Sequence, residues 1–243
     1  VLYGDVPLIK EKTLKELISN CDDGISILTT VLDEPFGYGR VKKDSDGNAI
    51  AIIEQKDATE DEKNIKEIFT GVLCSRTEFL KEGLLEINNK NAAGEFYLTD
   101  IVSIMSNKGI KINTYVASND EVKGANSHRE LAELEGIYRE MKVQDVLDMG
   151  ITVSDPSRLD VRGDVAAGKD CSIDVNVILE GNIKLGDNVS IGPNCVIKNT
   201  SIKSNSKIEA FSHIDGAKIG EGCVIGPYAR LREGSQIEAA AKV

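Results

Sequence analysis

From Val161 onward aliphatic residues return every six positions, at Val161, Ala167, Ile173, Leu179, Leu185, Ile191 and Ile197. A companion set sits two residues earlier at Val165, Cys171, Val177, Ile183, Val189 and Cys195. The interval shortens by one residue twice, and the run resumes at Ile202, Ile208 and Ile214, then at Ile219, Ile225, Leu231 and Ile237. A helix buries residues three and four apart, so a period of six covers no helical face. Short strands joined by tight corners do cover it. Hexapeptide periodicity marks a parallel β-helix, a solenoid in which each coil buries its inward residues only against its neighbours. Gly, Asn and Asp fall at the corners, as in Gly186-Asp187-Asn188 and Gly220-Glu221-Gly222, where turn dihedrals need residues that tolerate them. A sandwich with Gly-rich turns would instead show longer strands at less regular intervals.

Ahead of the repeats the pattern alternates between strand and helix, which predicts an α/β domain whose ligands sit at the carboxyl ends of its strands. Val1-Leu2-Tyr3 reads as a strand end and Gly4-Asp5-Val6-Pro7 as the turn leaving it. The spacing predicts a helix capped by Thr13 through Leu14, Leu17 and Ile18, then strands over 25–30, 50–54, 68–74 and 110–117. An Asp46-Gly47 hairpin turn precedes the second of these. Further helices are expected over 77–87, carrying Phe79, Leu80, Leu84 and Leu85, and from Asp100 to Gly109. Leu131, Leu134, Tyr138 and Met141 predict one or two amphipathic linker helices. The expected domains are therefore 1–127, an incomplete Rossmann-like unit, a helical linker over 128–154, and a β-helix over 155–243.

A formal charge of -11 argues against non-specific binding to nucleic acid or to anionic membranes. No stretch approaches a membrane span and no signal segment opens the sequence, so a cytoplasmic location is expected. The five cysteines form no CxxC pair, and Cys171, Cys195 and Cys223 occupy apolar repeat positions. They read as buried thiols, neither a disulfide scaffold nor a zinc site. With only two histidines, His128 and His213, no His-centred metal cluster is available within one chain.

Candidate chemistry is sparse when each residue is taken alone. Asp5, a carboxylate at a strand end, offers the hard oxygen that a phosphate-bridging divalent cation requires, although most such aspartates only form turns. Asn126 offers a second, neutral oxygen or a helix cap. Gly37-Tyr38-Gly39-Arg40 would let backbone amides approach a sugar or phosphate closely. Glu54 suits a hydrogen-bond acceptor for sugar hydroxyls, or is simply solvated. Arg230 and Arg232 flank Leu231, so strand alternation turns both guanidiniums outward toward an anionic ligand or into surface salt bridges. His213 reads as an exposed corner residue. No residue is marked as a nucleophile for covalent catalysis.

Taken together, Leu2-Tyr3-Gly4-Asp5-Val6-Pro7-Leu8, Gly37-Tyr38-Gly39-Arg40, Ile53-Glu54-Gln55-Lys56-Asp57-Ala58, Gly94-Glu95-Phe96-Tyr97-Leu98-Thr99-Asp100, Asp160-Val161-Arg162-Gly163 and Gly226-Pro227-Tyr228-Ala229-Arg230-Leu231-Arg232 form a distinctive set. The whole chain resembles the bacterial bifunctional family of N-acetylglucosamine-1-phosphate uridylyltransferase/glucosamine-1-phosphate N-acetyltransferases. That resemblance implies a Rossmann-like nucleotidyltransferase domain joined by a helix to a left-handed β-helix, assembled as a homotrimer. It implies Mg²⁺ at Asp5 and Asn126, and a uridine-diphospho-sugar pocket lined by Tyr3, Gly4, Gly39, Glu54 and Asn126. Arg232 would bind the sugar phosphate of the acetyltransferase reaction. The implied partners are UTP, N-acetylglucosamine-1-phosphate, glucosamine-1-phosphate and UDP-N-acetylglucosamine, with acetyl-CoA as the acetyl donor. A thymidylyltransferase-like enzyme with a β-helix, and a non-catalytic trimerisation module, are the alternatives.

Two departures from the family pattern qualify the expectation. An Asn that contacts the sugar in the family is here Phe69, within Glu67-Ile68-Phe69-Thr70-Gly71; its ring supplies no amide, and a lost hydrogen bond to a buried polar group costs about 1–3 kcal/mol. The family's opening strand, Gly-rich nucleotide loop and uracil-contacting segment would precede Val1, and its catalytic histidine and acetyl-CoA site would follow Val243. The expectation is a piece of a longer protein with little activity of its own, because phosphoryl-transfer electrostatics need that missing loop.

Overall fold

The computed structural model describes residues 1–21 and 23–243. The chain divides into two compact units, Val1–Leu134 and Glu135–Val243.

The first unit is an α/β layer built on a mixed five-stranded sheet. Its elements are α1 (Glu11–Ser19), β1 (Gly24–Val31), β2 (Arg40–Lys43), β3 (Ala49–Ile53), α2 (Glu60–Lys63), β4 (Glu67–Ser75), α3 (Thr77–Glu86), α4 (Asp100–Asn107), β5 (Lys111–Val116) and the short α5 (Asn119–Val122). The strand order is β3-β2-β4-β1-β5, in which β1 and β5 run parallel while β4 is antiparallel to β1. β1 is buried over Gly24–Thr30, as a central strand covered on both faces must be. Ile25, Ile27, Val41, Phe69 and Leu73 pack on one side with Ile101, Val102 and Met105 of α4. Leu17, Leu28, Val72 and Ala117 form a smaller cluster.

Several sequence expectations shift in detail. Thr13 does not cap α1: it is buried at the third position of the helix, and Lys10 is the N-cap without a side-chain bond. The cap chemistry appears instead at α2, where Thr59 and Glu62 form a reciprocal capping box. Leu84 and Leu85 of α3 point outward, and buried Gly83 lets the helix close against Ile101. Val1-Leu2-Tyr3 forms no named strand, yet Val1 exchanges two backbone hydrogen bonds with Leu73.

One continuous helix, α6 (His128–Asp148), takes up most of the stretch 128–154, and Thr152–Val153 at its end is a strand paired with Ser172–Ile173 of the solenoid. Its buried residues are Leu134, Val143 and Val146. Leu131 and Tyr138 are exposed, so the expected stripe is offset. Val143 and Val146 pack with Ile151, Leu159 and Val161, capping the open end of the first β-helical coil with apolar surface.

The second unit is a parallel β-solenoid of the hexapeptide kind. Its inward residues stack in three columns in register: Val153, Ile173, Ile191, Ile208 and Ile225; Val161, Leu179, Ile197, Ile214 and Leu231; and Ala167, Leu185, Ile202, Ile219 and Ile237. The two shortened intervals, Ile197 to Ile202 and Ile214 to Ile219, fall at the same corner of successive coils. The other crossings of that corner, Val161 to Ala167, Leu179 to Leu185 and Leu231 to Ile237, keep six residues, and the columns stay aligned because the missing residue comes out of the corner and not out of a strand. The corners carry left-handed residues, among them Asn176, Asn188, Asn194, Asn199 and Asn205, which tolerate positive φ better than other non-glycine residues. Asn side chains also bridge coils, as in Asn176 Nδ2 to Asn194 Oδ1 at 2.9 Å and Asn188 Nδ2 to Asn205 Oδ1 at 3.0 Å. The companion positions hold small groups satisfied by carbonyls: Ser206 Oγ donates to Gly220 O at 2.9 Å and Ser212 Oγ to Glu209 O at 2.8 Å. Among the described residues no helix is long and apolar enough to cross a membrane.

Candidate functional site

A cleft of about 520 Å³ opens in the first unit, and Tyr3, Asp5, Gly39, Glu54 and Asn126 all line it. These residues come from four stretches of the sequence, and the sheet brings them together at the ends of β1 and β4 and the loops beside them. Gly4 lies between two lining residues, and space is open where its Cβ would be.

Two glycines have physical reasons to be there. A Cβ on Gly39 would come within 2.8 Å of Ile52 Cγ2 and 3.4 Å of Glu54 Oε1, so this backbone passes close beside the carboxylate only because it is bare. Gly71 has a φ of +85° and lies where the β1–β4 register slips between Ile27 and Thr29. Its missing Cβ makes room for the Tyr3 ring, whose Cε2 would otherwise be 2.1 Å away. A bulge beside a cleft re-aims side chains and backbone toward it. Thr70 Oγ1 pins this bulge by donating to Leu28 O at 2.9 Å.

The Gly37-Tyr38-Gly39 loop is held from below by Arg40. This arginine is 2% exposed. Its Nη1 donates to the Tyr38 carbonyl, and its Nη2 donates to Gln55 Oε1 at 2.6 Å. Gln55 Oε1 also accepts from the Gly37 N–H at 3.1 Å, closing a small network around the loop. Arg40 Nε has no hydrogen-bond partner and no carboxylate pairs with the guanidinium among the described residues.

Glu54 follows β3, and its Oε1 accepts from Thr99 Oγ1 at 2.9 Å, which fixes the carboxylate at the cleft wall. On the opposite rim the Ala125 N–H donates to the Asp5 carbonyl at 3.0 Å, tying the two loops that carry Asp5 and Asn126. The Asn126 N–H in turn donates to Glu130 Oε2 at 2.6 Å at the start of α6. Asp5 and Asn126 thus face one cleft with hard oxygens. No cluster of three or more His, Cys, Asp or Glu able to hold a metal exists among the described residues. This donor set fits Mg²⁺, which keeps waters and takes one or two carboxylates plus substrate phosphates rather than an all-protein cage.

Sequence reasoning missed several lining residues, including Thr30, Thr99, Asn119 and Lys123. Thr30 Oγ1 bonds Ala117 O at 2.9 Å and Asn119 Oδ1 at 2.5 Å, joining β1 to the segment after β5. Lys123 pairs with Glu133 at 2.7 Å, and that hydrogen bond raises its pKa above the ordinary lysine value. Phe69 is 7% exposed: its ring belongs to the core while its edge forms part of the cleft wall.

On the solenoid Arg230 and Arg232 are both exposed around buried Leu231, as alternation requires. Arg230 lies in register beside His213, and neither arginine has an ion-pair partner among the described residues. His213 lies on a short strand, His213–Asp215, and not at a corner. The Phe211 and Tyr228 rings stack at 5.1 Å on neighbouring coils, both residues at positive φ.

A family model described as the GMPPB C-terminal domain matches residues 161–243, the β-helical repeats. The chain is 48% identical over 239 residues to the "Bifunctional protein GlmU" of Paraburkholderia phymatum, covering 98% of the chain and 53% of that protein. It is 46% identical to the protein of the same name from Pseudomonas entomophila, covering 100% of the chain and 54% of the relative, and 41% identical to that of Alkalilimnicola ehrlichii, covering 100% and 53%. The chain spans about half the length of the curated relatives it matches. By similarity along nearly its whole length, the chain belongs to the family of the bifunctional GlmU proteins.

Proposed function

We propose that the first unit is the sugar and metal side of a uridylyltransferase site, and that the β-helix carries part of an N-acetyltransferase site, in an enzyme that makes UDP-N-acetylglucosamine. The observation that carries this reading is the convergence of Tyr3 with Asp5, Gly39, Glu54 and Asn126 on one cleft from four separate segments. In the proposed reaction the phosphate of N-acetylglucosamine-1-phosphate attacks the α-phosphate of UTP and pyrophosphate leaves. Glu54, oriented by Thr99, accepts hydrogen bonds from the sugar hydroxyls. The bare backbone at Gly39 lets the sugar lie against the loop, and the Arg40–Gln55 network keeps that loop in place before substrate arrives, which lowers the ordering cost of binding. Asp5 and Asn126 would hold Mg²⁺, which neutralises phosphate charge and orients the reacting groups when bound. Phe69 gives the sugar an apolar wall in place of an amide, so Glu54 bears more of the recognition.

On the solenoid, Arg232 with Arg230 beside it presents two guanidinium forks to the phosphate of glucosamine-1-phosphate. The acetyl donor in this reading is acetyl-CoA, and the assembly is a cytoplasmic homotrimer. The thymidylyltransferase-like and scaffold alternatives draw no support from the relatives.

Titration calorimetry with UDP-N-acetylglucosamine tests the first site. Binding is expected to require Mg²⁺, to be lost in Asp5→Ala, and in Glu54→Gln to fall to the affinity of UDP alone. Binding that is indifferent both to chelation of Mg²⁺ and to Asp5→Ala would overturn the assignment.

A further inference from the structure

Cys21 and Cys74 are 53 residues apart in sequence, and the fold places their Sγ atoms 2.9 Å from each other. Both backbones are fixed. Cys21 sits in the turn after α1, where its N–H donates to Ile18 O at 3.1 Å and its carbonyl accepts from Gly24 N at 3.3 Å. Cys74 lies in β4 in register with Ser26 of β1, and packs on the cluster of Leu17, Leu28, Val72 and Ala117. The sulfurs meet at the end of the β1–β4 pair away from the cleft, because the cleft residues Thr30 and Ile68 lie at the other end of those strands. A disulfide bond spans about 2.05 Å, so closure asks for roughly 0.9 Å of sulfur movement.

The other three cysteines are built differently. Cys171, Cys195 and Cys223 are at most 1% exposed inside the solenoid. Each thiol donates to a carbonyl of the next coil, namely Gly186 O at 3.0 Å, Glu209 O at 3.2 Å and Glu238 O at 3.0 Å. None of them faces another sulfur among the described residues. Cys74, by contrast, is partly exposed, and Cys21 at 9% exposure lies directly beneath its sulfur.

We propose that Cys21 and Cys74 form a dithiol modification site that a hydroperoxide oxidises reversibly to a disulfide. The accessible Cys74 thiolate attacks a peroxide oxygen, the O–O bond breaks, and Cys74 becomes a sulfenic acid as the first water leaves. Cys21 then attacks the sulfenic sulfur, forming the S–S bond and releasing the second water. Two thiols and one hydrogen peroxide thus give one disulfide and two waters, with sulfur losing two electrons and peroxide gaining them. A dithiol reductant reverses the step by thiol–disulfide exchange. The site owes nothing to the cleft chemistry, and stands or falls separately from the proposed function.

The test treats the reduced chain with hydrogen peroxide, alkylates the remaining thiols, and maps peptides by mass spectrometry without reduction. The expected result is a loss of 2 Da, a single cross-linked peptide pair containing Cys21 and Cys74, three alkylated solenoid cysteines, and full reversal by dithiothreitol. In Cys21→Ser the link disappears and Cys74 is trapped as a sulfenic acid by dimedone; circular dichroism confirms that the variant is folded. Five alkylated cysteines after treatment, an intermolecular link, or oxidation at Cys171, Cys195 or Cys223 ahead of the pair would overturn the proposal, and the wild-type map alone decides it if the variant does not fold.

Discussion

Replacing Gly71 by alanine separates backbone strain from side-chain packing at the cleft. At a φ of +85° an alanine is in the left-handed region, which costs about 1–2 kcal/mol for a residue with a Cβ. The new methyl would also sit 2.1 Å from Tyr3 Cε2 and 2.4 Å from Cδ2. Tyr3 is 48% exposed, so its ring can swing outward and does not force the sheet apart. What it then loses is the half of its surface that it buries, about 1 kcal/mol on the usual scale for aromatic burial. The single variant is therefore expected to lose about 2–3 kcal/mol. In a Tyr3→Ala background the ring is already gone, and Gly71→Ala should cost only the conformational part, about 1–2 kcal/mol. Urea unfolding of the four proteins, followed by circular dichroism, gives the coupling directly. A Gly71→Ala cost that is the same with and without the Tyr3 ring would refute the packing argument. The same variant should weaken UDP-N-acetylglucosamine binding, since the displaced ring is a cleft wall.

Leu179→Ala removes a fully buried side chain flanked in its column by Val161 and Ile197, and should cost about 2–5 kcal/mol in denaturant unfolding; a loss below about 1 kcal/mol would mean the coil interior is not close-packed. Glu62 is held down to about 2 by its hydrogen bond from Lys42 and then by the Thr59 backbone and hydroxyl. Its folded pKa lies below the ordinary value of 4.5, so its contribution is complete above that value and disappears as pH falls toward about 2. Carboxyl NMR should show the low midpoint, and Lys42→Met should move it upward. Arg40→Lys keeps the charge but loses the fork that bridges Tyr38 O and Gln55, so the Gly37 amide should exchange severalfold faster with solvent; unchanged protection would show that the guanidinium does not hold the loop.

The solenoid was legible because its physics is local and repeated. Each inward residue is chosen by a neighbour one coil away, so a six-residue spacing of Ile and Leu is both the cause of the fold and its visible mark. Even the two shortened intervals were visible as a break in the count, and the structure adds that they lie at one corner. The α/β unit was legible as alternating elements, but not in its caps. Thr13 looked like a helix start because threonine favours that position, whereas burial of its side chain placed it inside α1. Of the expected α6 stripe of Leu131, Leu134, Tyr138 and Met141, Leu134 is buried while Leu131 and Tyr138 are exposed, because the end of the helix that covers the solenoid buries the residues reached by the first coil, here Val143 and Val146, and no heptad-like face is required.

The cleft was legible only as a set of residues recognised together, since no single one carries a diagnostic pattern. Sequence placed Tyr3 with Asp5, Gly39, Glu54 and Asn126 in four separate segments, and only the sheet order β3-β2-β4-β1-β5 brings those segments together at one end of its strands. The supporting residues leave still less trace. Arg40 directly follows a Gly-rich loop, where an arginine suggests a ligand contact, yet it opens β2, is buried and donates to the loop's own Tyr38 carbonyl. Thr99 is one hydroxyl in a polar run, and its value lies in a 2.9 Å bond to a carboxylate 45 residues away. A buried guanidinium without a carboxylate is costly to keep. Its retention beneath Gly37-Tyr38-Gly39 is understandable if a rigid loop, and not stability, is what that arginine supplies. The Arg40→Lys exchange measurement then bears on more than one loop: it asks whether the first unit spends a buried charge to hold the rim of its cleft in shape.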